Sequence, residues 1–297
     1  LLVSTFHSAC VRFLRVDIDK LGYNRNFVIF DTQDVQVLIK ECLKTLKIDD
    51  KQFAPAAVLN YIGRAKDRLL EPAKCLDNAK DIREKTMATV YELYQKRLKE
   101  NNALDFDDII MKTVKLFKEF PVVLSYYQNR FSHILVDEYQ DTNLAQYELV
   151  RMMAAKYRNL CVVGDDDQSI YSFRGADIRN ILEFEQDFPD ATVIRLEQNY
   201  RSTKTILNAA NDVIENNFSR KQKRLWTENE EGEKINLVTL EDERQEAYFI
   251  AQEINNRMFR DSLSYKDFAI LYRTNAQSRV LEEAMVKMRI PYKIIGG

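Results

Sequence analysis

"ILVDEYQD", residues Ile134 to Asp141, changes from apolar to polar within one step. Ile134, Leu135 and Val136 read as the last residues of a buried strand. Asp137, Glu138 and Asp141 then crowd together beyond its carboxyl end, where like charges repel. The cluster implies a cation. In sheets built from parallel strands, ligands sit beyond the carboxyl ends, so this stretch sets both the fold class and the place to look for chemistry.

The same alternation recurs along the chain. "LLVS" (1–4), "HILV" (133–136), "LCVV" (160–163), "TVIRL" (192–196), "INLVTL" (235–240) and "FAILY" (268–272) read as strands, most of them followed by polar residues and then a helix. That order predicts an α/β fold with mostly parallel sheets. Between about Asn26 and Leu104 helical periodicity dominates. Val35, Leu38, Ile39, Cys42, Leu43 and Leu46 form one amphipathic stripe. Pro55 opens a helix to about Leu70, and Met87, Val90, Tyr91, Tyr94 and Leu98 mark another. The expected organisation is a first α/β lobe over 1–26 and 105–195, an all-helical insertion over 27–104, and the start of a second α/β lobe over 196–297.

Bulk properties narrow the function classes. The 297 residues fit about two domains of roughly 150 residues. With 45% apolar and 30% charged residues the chain can bury a large core, yet no window approaches the ~18 apolar residues of a membrane span. "LLVSTFHSACVRFLRVD" lacks the features of a signal peptide, and a start at Leu1 points to a piece of a longer protein. Cys10, Cys42, Cys75 and Cys161 lie far apart and read as reduced thiols in a cytoplasmic protein. With only His7 and His133, a structural zinc site is not expected. The net charge is −2, so any nucleic acid must be held by a local groove and not by bulk attraction. "SRKQKR" (219–224) and "ENEEGE" (228–233) read as solvated loop faces.

Three motifs carry chemistry. After the strand pattern at 133–136, Asp137 suits Mg²⁺, a hard cation that prefers oxygen ligands, and Glu138 suits a general base for an attacking water. In "VVGDDDQSIYSFRGA" (162–176), Gln168 offers a donor and an acceptor at once. Tyr171, Phe173 and Arg174 then present two rings and a guanidinium, the chemistry of single-stranded nucleic-acid platforms. In "LEQNYRST" (196–203), Arg201 suits a finger towards phosphates and Tyr200 a stack on a purine. Thr5 and His7 in "STFHSA", and Arg273 and Asn275 in "LYRTNAQSR", offer donors to a phosphodiester backbone, although Thr5 is equally placed to cap a helix. "LDFDDII" (104–110) reads as the structural return from the helical insertion.

Together and in this order, "TFHS", "LDFDD", "VDEYQDTN", "GDDDQSIYSFRGA", "LEQNYRS" and "LYRTNAQSR" resemble the PcrA/UvrD/Rep family of superfamily-one DNA helicases over essentially the whole chain. The resemblance implies RecA-like lobes that bind ATP and Mg²⁺, single-stranded and forked DNA as partner, and 3′–5′ translocation driven by hydrolysis. It implies that Asp137 holds the metal, Glu138 is the base, Gln168 meets the terminal phosphate, Arg201 is the finger and Tyr200 stacks on adenine. Thr5, His7, Tyr171, Phe173, Arg174, Arg273 and Asn275 would meet DNA; the family often has Trp where this chain has the smaller Phe173. The phosphate-cradling GxxxxGK[ST] pattern is absent from these residues. So are the adenine-contacting glutamine, the later motifs and the second insertion, so the expectation is a central piece whose acids, Asp137, Glu138 and Asp165 to Asp167, repel a triphosphate. Such a piece neither binds ATP tightly nor hydrolyses it. The rival readings are a helicase-nuclease subunit of the AddA/RecB kind and a non-catalytic module binding single-stranded DNA or protein. DNA repair and transcription proteins are the expected protein partners.

Overall fold

The computed structural model describes residues 1–217, 220, 221 and 223–295. They form two compact units, one of Leu1–Gln198 with Ala210–Trp226, the other of Asn199–Ala209 with Thr227–Gly297.

In the first unit, Thr5 caps helix α1 (Phe6–Asp17), whose Cys10, Phe13 and Leu14 fall on one helical face and are buried. They pack with Ile109, Ile110, Val114 and Phe117 of α6 (Phe106–Glu119) in one core, which also takes in Tyr127 from α7 (Pro121–Arg130) and Leu149 from α8 (Leu144–Ala154). Between α1 and α6 the chain leaves through β1 (Val28–Ile29) and returns through β2 (Ala103–Leu104). These strands pair in parallel, Val28 with Ala103 and Ile29 with Leu104. The regular elements between them are helices: α2 (Thr32–Thr45), α3 (Pro55–Asp67), α4 (Pro72–Asn78) and α5 (Ile82–Glu100). Local chemistry starts each helix. Asp31 closes a capping box on α2, Pro55 and Pro72 occupy the first turns of α3 and α4, and Asp81 caps α5. A separate core fills this layer, with Leu38, Ile39, Val58, Ile62, Tyr91, Tyr94 and Leu98 buried.

One buried ion cluster joins the helical layer to α6. Lys66 of α3 is fully buried, 2.6 Å from Asp105 and 3.1 Å from Asp108. Tyr94 of α5 donates its hydroxyl to Asp105 at 2.8 Å. Burial works against these charges, but their attraction outweighs it, so Lys66 is held above and Asp105 below the ordinary range. "LDFDD" is thus a structural lock as well as a return.

Beyond α7, β3 (Ile134–Val136) and β4 (Leu160–Val162) pair in parallel, with Ile134 opposite Leu160 and Val136 opposite Val162. Short helices α9 (Arg179–Leu182) and α10 (Phe184–Asp187) follow. Then come α11 (Lys204–Ile214), α12 (Glu243–Asp261) and α13 (Ser278–Lys287). In the second unit, Ala247, Ala251 and Ile254 of α12 pack with Ala284 and Met285 of α13 and with Ile290.

The strand expectations divide. "HILV" and "LCVV" form β3 and β4. "LLVS", "TVIRL", "INLVTL" and "FAILY" form no strand among the described residues. A strand needs a hydrogen-bonded neighbour as well as apolar side chains, and these runs have no ladder partner here. Leu196, Leu237 and Leu271 are accordingly 81%, 92% and 93% exposed.

Candidate functional site

The loops after β3 and β4 are stitched together. The Val163 amide donates to the Val136 carbonyl at 2.8 Å, and the Tyr139 amide to the Val163 carbonyl at 2.9 Å. Glu138 sits between them in the left-handed region, φ 52° and ψ 41°. For a residue with a Cβ that costs about 1–2 kcal/mol. Its amide donates to Asp137 Oδ1 at 3.0 Å. Gln140, 1% exposed, lies behind it. Gln140 Nε2 donates to Glu138 Oε2 at 2.8 Å, while its Oε1 accepts from the Asp165 amide at 3.0 Å. Gly164 makes room: a Cβ there would lie 2.6 Å from Gln140 Oε1 and 3.2 Å from the Gln140 amide nitrogen. Gln168 Nε2 donates to Asp165 Oδ2 at 2.7 Å. Gln140 and Asp165 therefore connect the two residues read as base and phosphate contact, Glu138 and Gln168.

The acids are less bare than expected. The carboxylates of Asp165, Asp166 and Asp167 offer oxygens within 4.8 Å of one another, a spacing that suits a metal. An ammonium takes that place. Lys223 Nζ lies 2.5 Å from Asp165 and from Asp166, and 3.4 Å from Asp167. Arg220 is in ion-pair contact with Asp167 at 3.0 Å, the Lys221 amide donates to Asp166 at 2.8 Å, and the Lys221 ammonium pairs with Glu185. The run 219–224 is thus not simply a solvated face; its Ser219 and Gln222 lie outside the described residues. Nor do Asp165 to Asp167 stand ready to repel a triphosphate, because cations of the same chain already face them. Burial pushes the Asp165 carboxyl up, but hydrogen bonds from Lys223 and Gln168 outweigh it and leave it below the usual range. Burial likewise lowers Lys223, and the two carboxylates more than restore it.

The remaining expected site residues divide between the units. In the first, Thr5 Oγ1 accepts from the Ser8 amide at 3.3 Å, so it serves α1 as a cap. His7 is half-buried against Phe106, ring centroids 5.9 Å apart. Burial lowers its pKa, against a backbone hydrogen bond with Phe106. Tyr171 and Phe173 are exposed, their rings tilted with centroids 5.9 Å apart. The side chain of Arg174 lies outside the described residues. In the second unit, Tyr200 and Arg201 are exposed, and Asn199 Oδ1 accepts from the amides of Arg201 and Ser202 at 2.9 and 2.8 Å. Arg273 and Asn275 are exposed beside Thr274, whose hydroxyl and Gln277 form a capping box.

A cleft of about 530 Å³ lies in the first unit, lined among others by Phe30, Gly63, Asp67, Asp107, Phe173 and Gly175. Asn143 Nδ2 donates to Asp67 Oδ1 at 2.5 Å. Burial and the charge of Asp107 push Asp67 up to about 7, against that hydrogen bond. Burial, then Asp105, pushes Asp107 up to about 6. Neither Gln140, Lys223 nor Asp67 was singled out from the sequence. The signal for Lys223 was there: three adjacent aspartates at a strand end need counterions, and a compact basic run follows.

The donor set at Asp137 fits Mg²⁺. It is an exposed carboxylate at a strand end, and magnesium is commonly held by one or two carboxylates together with waters and substrate phosphates.

Residues 1–189 match the UvrD/REP helicase N-terminal domain, and residues 194–297 the UvrD-like helicase C-terminal domain. The chain is 56% identical over 295 residues to an ATP-dependent DNA helicase PcrA of Staphylococcus aureus, covering 99% of this chain and 40% of that protein. It is 54% identical over 295 residues to the protein of the same name from Staphylococcus epidermidis, with the same coverage. The chain thus spans about 40% of the length of the curated relatives it matches.

Proposed function

This chain belongs to the UvrD/REP helicase family, and from that premise we propose that it is a motor segment of an ATP-dependent 3′–5′ DNA helicase. The observation that carries the proposal is the hydrogen-bonded path from Glu138 through Gln140 and Asp165 to Gln168, at the ends of two adjacent parallel strands. Asp137 holds Mg²⁺, which when bound supplies charge stabilisation to the phosphates. Glu138 orients and deprotonates water, with its carboxylate aimed by Gln140. Gln168 meets the terminal phosphate. Arg201 brings a positive charge to the phosphates and Tyr200 stacks on the adenine. Tyr171, Phe173 and Arg174 form the base platform, with Thr5, His7, Arg273 and Asn275 along the DNA backbone. The partner is single-stranded or forked DNA, and the protein partners are DNA repair or transcription proteins. The free cysteines, three of them buried, suit a reducing cytoplasm. Among the described residues no helix is long and apolar enough to cross a membrane.

The test is DNA-stimulated ATP hydrolysis. In a protein of the relatives' length carrying this chain, Glu138→Gln lowers turnover at least about a hundredfold, the lower end of the usual general-base contribution, and leaves oligonucleotide binding intact. Unchanged turnover sinks the assignment of the base. The 297 residues alone, without the GxxxxGK[ST] cradle, show no turnover. Measurable hydrolysis by them would show that the phosphate is held by other residues.

A further inference from the structure

We propose that Lys223 is a positioning residue: through Asp165 it fixes the carboxamide of Gln168. A surface glutamine has three soft torsions, and holding it in one rotamer requires a rigid partner. Asp165 is that partner, but it stands beside two further carboxylates that drive it away or towards protonation. Lys223 removes this conflict. Its ammonium lies 2.5 Å from Asp165 Oδ1, while Asp165 Oδ2 accepts from Gln168 at 2.7 Å. A carboxylate is planar, so holding one oxygen aims the other. The Asp165 amide is tied independently to Gln140 at 3.0 Å, and Asp165 Oδ1 also accepts from the Asp167 amide at 3.0 Å; Lys223 adds a charged hold on that same oxygen.

Lys223 lies 58 residues from Asp165, in the region that matches the C-terminal domain, yet Ala210–Trp226 packs within the first unit. The loop after β4 is therefore set by a segment from outside its own family domain. The importance given to Gln168 rests on the proposed phosphate contact; the positioning itself does not.

The experiment follows the Gln168 side-chain amide by ¹⁵N NMR in the 297-residue chain, assigned with Gln168→Glu, together with hydrogen exchange of amides 165–169. In Lys223→Met the Gln168 signals move to the position of a free glutamine, and loop exchange rises about tenfold, a factor that corresponds to 1.4 kcal/mol. Lys223→Arg keeps both near their original values. Asp165→Asn, which leaves the cation in place, releases Gln168 in the same way and decides the matter should Lys223→Met not fold. Gln168 signals unmoved by Lys223→Met or by Asp165→Asn overturn the proposal, and so does an arginine variant as loose as the methionine one. None of these readouts uses nucleotide. If they come out as expected while Gln168→Ala leaves ATP turnover of the longer protein unchanged, the positioning stands and the phosphate contact falls.

Discussion

At Asp67 a carboxylate accepts from Asn143 at 2.5 Å while burial and the neighbouring Asp107 resist its charge and Arg68 favours it. Its pKa of about 7 in the folded chain stands above the unfolded value, about 3.9 for an aspartate. Folding therefore prefers the protonated form. The contribution of this group to stability is full below pH ~4 and is lost as pH rises from ~4 to ~7. Asp67→Asn keeps the acceptor for Asn143 and removes the titration. Its melting temperature should exceed that of the parent at pH 8, and the gap should close at pH 4; equal melting temperatures at pH 8 count against the burial argument. Single residues differ in how openly they declare themselves. Asp137 and Glu138 stand out as candidates in the sequence because adjacent acids after an apolar run repel one another unless a cation is near. Gln140 does not, although it lies inside the same motif. A neutral amide carries no electrostatic signature, and its value comes from being 1% exposed between two loops that only the parallel pairing of β3 and β4 brings together.

Helices were easier to read than strands, for a physical reason. A helix satisfies its backbone within one segment, so Asp31, Pro55 and Asp81 announce their starts locally. A strand is half of a pair. β3 and β4 found each other, whereas "INLVTL" and "FAILY" carry the right side chains with no ladder. β1 and β2, two residues each, are too short to leave any period. The junction between α3 and α6 was hidden too, since Lys66 sits on a helix face like any solvated lysine until the fold buries it completely. Removing it leaves Asp105 and Asp108 uncompensated. Lys66→Met should cost about 3–5 kcal/mol in a denaturant titration. Combining it with Asp105→Asn and Asp108→Asn should recover most of that loss, because Asn still caps α6. A single variant costing under about 1 kcal/mol would mean that the cluster is hydrated.

Taken whole, the molecule keeps its charge local. The net charge is only −2, yet one cationic patch answers Asp165 to Asp167 and one buried lysine answers Asp105 and Asp108. Tyr171 and Phe173 in the first unit, and Arg201 and Arg273 in the second, are exposed. The parallel pairing of β1 with β2 has a different outcome. Since Val28 lies opposite Ala103, the chain departs for its helical layer and comes home at adjoining points. That layer is in effect a cassette plugged into a socket two residues wide. Swapping residues 30–102 for a Gly/Ser bridge of about a dozen residues, the least that spans a parallel crossover, should leave the α1–α6 core melting as one cooperative unit, provided Asp105 and Asp108 are made asparagine to replace their missing cation. A broad, non-cooperative melt would mean that the graft point is not separable. If the melt stays sharp, lineages and designers alike are free to exchange what is carried there while the machinery beneath it stays put.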